Sequence, residues 1–275
     1  MRVAVYQSRT GIDPAANASA LVAAIGEAKA GAADMIFTPE MSGLLDQNRG
    51  RAALHLRDEA TDRVLAEVRA AAASAGIWVN LGSLALGGGA DGRLINRGFV
   101  IDNMGEIRAR YDKIHLFDVD LPTGESWRES SAYAPGERPA IATTPWAKIG
   151  LSICYDMRFP DLYRALSNAG AEILSVPAAF TVPTGKAHWH VLLRARAIEA
   201  AAFVVAAAQS GEHEDGRATF GHSLVVDPWG EILLDMGEGE GVAFADLDMA
   251  RLVDVRTRVP ALRHRRPIPE PVTSA

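Results

Sequence analysis

Residues Ala147–Arg164 read A-K-I-G-L-S-I-C-Y-D-M-R-F-P-D-L-Y-R, and the fold turns on this stretch. Ile149 to Ile153 is a short apolar run of the kind that forms a fully buried strand. The only cysteine of the chain, Cys154, follows at once, and Asp156, Arg158 and Pro160 break the run. Asp161 to Ala169 then carries apolar residues at helical spacing (Leu162, Leu166, Ala169), and Gly170 ends the helix. A buried strand that turns sharply into a helix holds its corner side chain rigid and exposed. A nucleophile needs that placement, because it must reach a carbonyl carbon without its backbone yielding. The positive N-terminal end of the helix is expected to favour the thiolate. A lone cysteine is ordinarily a small core residue, so the case rests on its neighbours.

On either side of this unit, strand-like and helix-like segments alternate. Arg2 to Gln7 reads as a strand, and Pro14 to Ala30 as a helix capped by Asp13 with proline in its first turn. Asp34 to Thr38 is a strand ending at Pro39-Glu40. Asp58 to Ala75 is a helix with Val64, Leu65, Val68 and Ala72 on one face, stopped by Gly76. Ile77 to Leu86 is a strand, and the glycines from Gly87 to Gly92 make a turn; no Lys-Ser/Thr follows them, so they are not a phosphate loop. Arg97 to Ile101 and Ile107 to Lys113 read as an antiparallel pair. Ile114 to Arg138 shows no periodicity, and a loop of that length in a compact domain is usually functional. Past Gly170 come a strand (Glu172 to Val176), a helix (Thr184 to Ala202), and strands at Phe203 to Ala208, Gly221 to Val226, Glu231 to Asp235 and Val242 to Asp246. Asp227 to Gly230 supplies a hairpin turn, and a last helix starts near Asp248.

One echo organises this series. G-A-A-D-M-I-F-T-P within Ala28 to Pro39 and G-A-E-I-L-S-V-P at Gly170 to Pro177 share a pattern: a Gly-Ala step, a short buried strand and a closing proline. The expectation is an α/β fold of two similar halves, each a sheet covered on one face by helices and packed sheet to sheet. No linker separates them, so residues 1–266 are read as one domain and residues 267–275 as an extended, proline-rich tail.

Composition narrows the class. With 275 residues, 48% of them hydrophobic, the chain can bury a large core. A net charge of −6 with mixed signs does not describe a nucleic-acid surface. One cysteine excludes an internal disulfide and fits a reducing compartment. Met1-Arg2 leads straight into a strand with no secretory segment, and the longest apolar run, Ala200 to Ala208, is far too short to span a bilayer. A cytoplasmic protein without nucleic-acid or membrane partners is expected.

In α/β sheets, chemistry gathers beyond the carboxyl ends of strands. Three such ends carry reactive side chains: Glu40, Lys113 and Cys154. Together they suffice for attack on an amide carbonyl. Glu40 would accept the thiol proton and later activate water. Cys154 would form the acyl intermediate. Lys113, with the backbone N–H of Tyr155, would stabilise the oxyanion. Each alone reads as an ordinary surface or core residue; the combination is what points to chemistry. Burial would raise the Glu40 pKa and a nearby ammonium would lower it, and sequence leaves that balance open.

These residues resemble the nitrilase superfamily of carbon–nitrogen hydrolases. The likeness rests on F-T-P-E (Phe37 to Glu40), Y-D-K-I-H-L-F-D (Tyr111 to Asp118), G-L-S-I-C-Y-D-M-R-F-P (Gly150 to Pro160) and G-H-S-L-V-V-D-P-W-G (Gly221 to Gly230), and it covers nearly the whole chain. It implies a four-layer α-β-β-α sandwich that dimerises to eight layers, with Glu40, Lys113 and Cys154 as the catalytic set. It also implies a second glutamate after the lysine; W-R-E-S (Trp127 to Ser130) makes that Glu129. Within the family, Phe180 to Glu199, F-D-V-D-L-P-T-G-E (Phe117 to Glu125) and His264 to Arg266 look most like the deaminated glutathione amidases. The segment M-S-G-L-L-D-Q-N-R-G after Glu40 departs from the family in lacking an aromatic-rich stretch. The substrates of that branch and of the neighbouring ω-amidases are acids, so a cationic anchor is expected. Arg158 at the helix entrance fits a bidentate grip on carboxylate, with a salt bridge to Asp156 or Asp161 as the equal alternative. Thr181 is a further pocket candidate.

Other features carry less. His188 and His190 sit two apart in a predicted helix and do not share a face, and neither H-E-x-x-H nor paired cysteines occur, so neither metal nor cofactor is expected. His222 reads as a structural residue rather than a partner of Cys154. The basic run Arg256 to Arg266 reads as a solvated or subunit-interface face. The reading is a cofactor-free amidase, a homodimer or higher homo-oligomer. It would cleave the terminal carboxamide of a small carboxylate-bearing substrate through a thioester and release ammonia. Deaminated glutathione is the favoured substrate; α-ketoglutaramate, N-carbamoyl amino acids and a non-catalytic scaffold are the alternatives.

Overall fold

Local signals set the first elements. In the computed structural model, which describes residues 1–120, 124 and 126–273, Asp13 caps the first helix by accepting from the Ala15 N–H at 2.9 Å. Asp62 does the same for the next long helix through Leu65 at 2.8 Å, and Gly76 ends it in the left-handed conformation. In chain order the elements are β1 (Arg2–Gln7), α1 (Pro14–Ala30), β2 (Met35–Phe37), α2 (Arg49–Ala53), α3 (Arg63–Ala75), β3 (Trp78–Leu86), β4 (Ile95–Ile101), β5 (Ile107–Asp112), β6 (Asp118–Asp120) and β7 (Ser126–Arg128). There follow β8 (Ala140–Thr143), β9 (Lys148–Leu151), α4 (Pro160–Asn168), β10 (Ile173–Ser175), α5 (Val182–Ala200), β11 (Phe203–Ala206), β12 (Ser210–Glu212) and β13 (Ala218–Phe220). The last are β14 (Leu224–Val226), β15 (Ile232–Asp235), β16 (Gly241–Asp246), α6 (Met249–Arg258) and α7 (Ala261–His264). Residues 267–273 form neither helix nor strand.

Two mixed six-stranded sheets result, in the orders β16-β1-β2-β3-β4-β5 and β15-β14-β11-β10-β9-β8. Strand alternation assigns their faces. Ala4, Ile36, Val79 and Phe99 pack with Leu21, Ile25, Val64 and Val68 of α1 and α3. Val3, Val5, Met35 and Phe37, on the opposite face, pack with the second sheet, whose far side is covered by Leu162 of α4, Trp189 and Leu193 of α5 and Leu252 of α6. This is the α-β-β-α sandwich, a single domain. The halves are also interlocked, since C-terminal β16 pairs with β1 antiparallel, Arg2 opposite Asp246.

Several segments depart from the sequence reading, among them an unforeseen edge strand, β8, and a short last helix, α7. The long loop after Lys113 holds the hairpin β6–β7 and a short 3-10 turn, Glu129–Ser131. A second small hairpin, β12–β13, precedes β14, and the short helix α2 follows Glu40. Leu121, Pro122, Thr123 and Glu125 of the F-D-V-D-L-P-T-G-E motif lie outside the described residues, as do the last two residues of the tail.

Candidate active site

The three strand ends meet. β2 and β9 run parallel to their inner neighbours, and two antiparallel steps from β3 bring β5 back to the direction of β2. Glu40 follows β2, Lys113 follows β5, and Cys154 follows β9. All three are buried, and they line the closed end of a cavity of about 510 Å³.

Lys113 Nζ lies 2.8 Å from Glu40 Oε1 and 2.9 Å from Glu129 Oε2, so one ammonium bridges two carboxylates. Ala179 N–H donates to Glu40 Oε2 at 2.9 Å. Asn96 Nδ2 donates to Oε1 of Glu40 at 2.9 Å and to Oε1 of Glu129 at 3.3 Å. Phe117 N–H donates to Glu129 Oε2 at 2.6 Å, so the loop after β5 closes back on the site. Gln209 Nε2 holds the Glu40 main-chain carbonyl at 3.0 Å.

Cys154 occupies the corner in a strained conformation, with φ of 48°, and its N–H donates to Pro177 O at 2.8 Å. Asp156, fully buried, locks the corner. It accepts from Ile153 N–H at 2.9 Å, from Tyr111 Oη at 2.7 Å and from His115 N–H at 3.0 Å. One carboxylate therefore ties the segment that carries Lys113 to the turn that carries Cys154.

Electrostatics fixes the resting protonation. Burial pushes the Glu40 carboxyl up, but the Lys113 ammonium and the hydrogen bonds from Lys113, the Cys154 thiol and Ala179 reverse this and hold it below its ordinary range. Burial opposes the Lys113 charge, and the Glu129 and Glu40 carboxylates overcome it, leaving the pKa well above ordinary. Burial pushes the Cys154 thiol well up, and the Glu40 charge adds to it. This corrects the expectation that a helix end favours the thiolate. A 3-10 turn, Cys154–Arg158, separates the sulfur from α4, so the dipole is remote while burial and the Glu40 charge act on the thiol directly.

Of the remaining candidates, Thr181 lines the cavity and hydrogen-bonds to Thr184 Oγ1 at 2.7 Å. Tyr155 follows the sulfur in the turn, its ring against Phe117 at 5.1 Å. Arg158 is not a wall residue. Its guanidinium lies 5.3 Å from the ring of Phe180, which is, and its Nη1 is 3.3 Å from His188 Nδ1. The ion pair to Asp156 or Asp161 does not form. His222 is drawn to Asp235, its Nδ1 2.9 Å from Oδ1, and His190 Nε2 reaches Oδ2 at 2.9 Å. The two histidines and Asp235 thus gather with metal-ligand spacing, none of them on the wall of the cavity that holds Cys154, a grouping that helical spacing could not foresee. Sequence reasoning also missed Asn96, Asp156 and Gln209. A polar residue inside an apolar strand, as Asn96 is in I-N-R-G-F-V-I, was the available signal.

The chain as a whole is similar to known proteins. The carbon–nitrogen hydrolase family profile matches residues 2–257. The deaminated glutathione amidase of Bos taurus is 41% identical over 271 residues, 96% of this chain and 82% of that protein. The solved C. elegans NitFhit protein superposes with a TM-score of 0.89 at 38% identity, covering 96% of this chain and 65% of that longer one. A mutant of the amidase from Nesterenkonia sp. AN1, caught after Michael addition of acrylamide at its active-site cysteine, gives a TM-score of 0.77 at 27% identity over 94% of this chain and 98% of that one.

Proposed function

Because the chain belongs to the carbon–nitrogen hydrolase family and is a hydrolase acting on amides, we propose that it works through a Cys154 thioester, with deaminated glutathione as its substrate. The observation that carries the mechanism is the convergence of buried Cys154, Glu40 and Lys113 on one cavity, with the Lys113 ammonium shared between Glu40 and Glu129. Glu40 takes the thiol proton as Sγ attacks the amide carbon, so no resting thiolate is needed. Lys113 Nζ and the Tyr155 N–H receive the developing oxyanion. Glu40 returns the proton to the departing nitrogen, the C–N bond breaks, and a thioester remains. Glu40 then draws a proton from water, which attacks the thioester and frees the acid and the thiol. Glu129 holds Lys113 in place.

The 41% relatives named for deaminated glutathione support that substrate, as does the cavity, whose volume suits a ligand well above the size of a primary amide. The leaving group follows from its chemistry. Deaminated glutathione has no terminal carboxamide; its amide joins the glutamate-derived carbonyl to cysteinylglycine, so the amine released first is that dipeptide, and ammonia is released only from α-ketoglutaramate. Arg158 makes no ion pair among the described residues, but it stands behind Phe180 and outside the cavity wall, so it would reach the 2-oxo acid carboxylate only after that ring moves; Thr181, on the wall, is the pocket residue proposed here. Exposed Val191 and Ile198 on α5 and Val253 on α6 favour a homodimer through these helices. Among the described residues no helix is long and apolar enough to cross a membrane; the single cysteine of the chain supports a cytoplasmic location.

Mass spectrometry of the enzyme quenched during turnover tests the route. The expected species is the protein plus the acyl group on the Cys154 peptide; turnover by Cys154→Ala at the parental rate would end the proposal.

A further inference from the structure

Exposure along the cavity wall runs from the buried Glu40, Lys113 and Cys154 to the exposed Arg49 and Arg128, so the open end is ringed by arginine. Charged side chains at that end differ in what they leave free. Asp46 is taken up by Arg51, with Nε on Oδ2 at 2.6 Å and Nη2 on Oδ1 at 2.9 Å. Arg128 is taken up by Asp120, both contacts being 2.9 Å. Arg217 is held only at its stem. Its Nε donates to Asp215 Oδ2 at 2.7 Å, and its guanidinium lies 5.4 Å from the Trp127 ring centroid. Asp215 is itself fixed, accepting the Gln47 N–H at 2.9 Å. Both Nη groups of Arg217 therefore face no carboxylate among the described residues, on a plane set by an indole and a buried anion. Arg49 has no carboxylate partner among them either. Its Nη2 donates to Ser131 Oγ at 2.6 Å and meets the carbonyl of Arg128, next to Trp127, at 3.4 Å.

A guanidinium whose stem is pinned and whose outer fork is free loses little freedom on binding a carboxylate bidentately. A half-buried position strengthens the contact over one in open water. We propose that Arg217, with Arg49, is a second carboxylate site of the cavity. It would recognise the terminal carboxylate of a peptide leaving group and so select amides of peptidyl amines over primary amides. This rests on the amidase reading above and adds what the far end of the substrate must carry.

The test compares three substrates on the whole enzyme: deaminated glutathione, the same molecule with its glycine carboxylate capped as the amide, and α-ketoglutaramate. For the parent enzyme, capping is expected to lower kcat/KM at least about tenfold, chiefly through KM, in line with loss of a charge-assisted pair. Arg217→Gln is expected to lose a similar factor on deaminated glutathione, to lose nothing more on the capped substrate, and to keep its kcat/KM on α-ketoglutaramate. Arg49→Gln repeats the comparison at a residue that no buried anion depends on, so a loop disturbed by an unpaired Asp215 cannot mimic the result. Equal losses on all three substrates in both variants, or indifference of the parent enzyme to capping, would overturn the site while leaving the amidase intact. A parent enzyme that cleaves none of the three would instead sink the substrate reading and this site with it.

Discussion

The Ala179 N–H donates to Oε2 of Glu40 at 2.9 Å, and this one bond joins the end of β2 in one sheet to the chain beyond β10 in the other. With Lys113 and Asn96 on Oε1, both carboxylate oxygens are held by donors that cannot accept a proton in return. The base is thus kept ionised and aimed, and its position depends on the two sheets staying in register with each other.

Replacing that base separates its two effects. Glu40→Gln is expected to lower kcat/KM by about 10²–10⁴, the usual worth of a positioned general base. It removes the negative charge that raises the Cys154 pKa, so the thiol should ionise at lower pH than in the parent. The pH dependence of iodoacetamide alkylation reads this directly. An alkylation profile that moves upward would contradict the electrostatic assignment.

Stability should fall in acid through the same residue. The folded-state pKa of Glu40 lies below its ordinary value of 4.5, so the stabilisation is present above that value and is lost as pH falls through the lower, folded value. Lys113 has the opposite window: its folded pKa lies above 10.5, and its contribution is complete below that and lost as pH rises past the folded value. Urea midpoints measured from pH 7 down to pH 3 should drop in the parent and drop less in Glu40→Gln; parallel curves would refute the linkage.

Gly82 allows the base its place. A Cβ there would come within 2.1 Å of Thr38 O and 2.3 Å of Pro39 O, the backbone that leads into Glu40. Gly82→Ala must push that segment away, and a displacement near 1 Å at a reacting group costs about a hundredfold in rate. Assays should show that loss even in preparations with native circular dichroism. Full activity would mean that the segment yields without moving Glu40.

Asp156 carries no proton in the reaction, yet Asp156→Ala should be among the most damaging substitutions. It removes the carboxylate shared by four hydrogen bonds, from Tyr111 Oη, the His115 N–H, His115 Nδ1 and the Ile153 N–H, and unties the Lys113 segment from the Cys154 turn. Removing one partner from a buried charged network costs about 3–5 kcal/mol, which thermal unfolding would register. A variant with unchanged melting and unchanged kcat would show that the turn holds itself.

The amino-acid sequence by itself determined the elements whose signals are local. The Asp13 cap, the apolar face of α3 with Gly76 behind it, and the run into Cys154 each follow from spacing within one segment. The echo before Pro39 and Pro177 exposed the two-sheet plan, because a buried strand must carry its apolar residues wherever it lies. Only the tertiary structure decided what depends on partners far along the chain. The three-residue strands of β6–β7 and β12–β13 are too short to show a period, and β16 gives no local sign that it will pair with β1. Asn96 and Asp156 became site residues because stacking the sheets brought donors and acceptors from separate strands into one dry space. There an unmatched polar group is costly, and the Cys154 proton is held by burial and by Glu40 rather than released by a helix end.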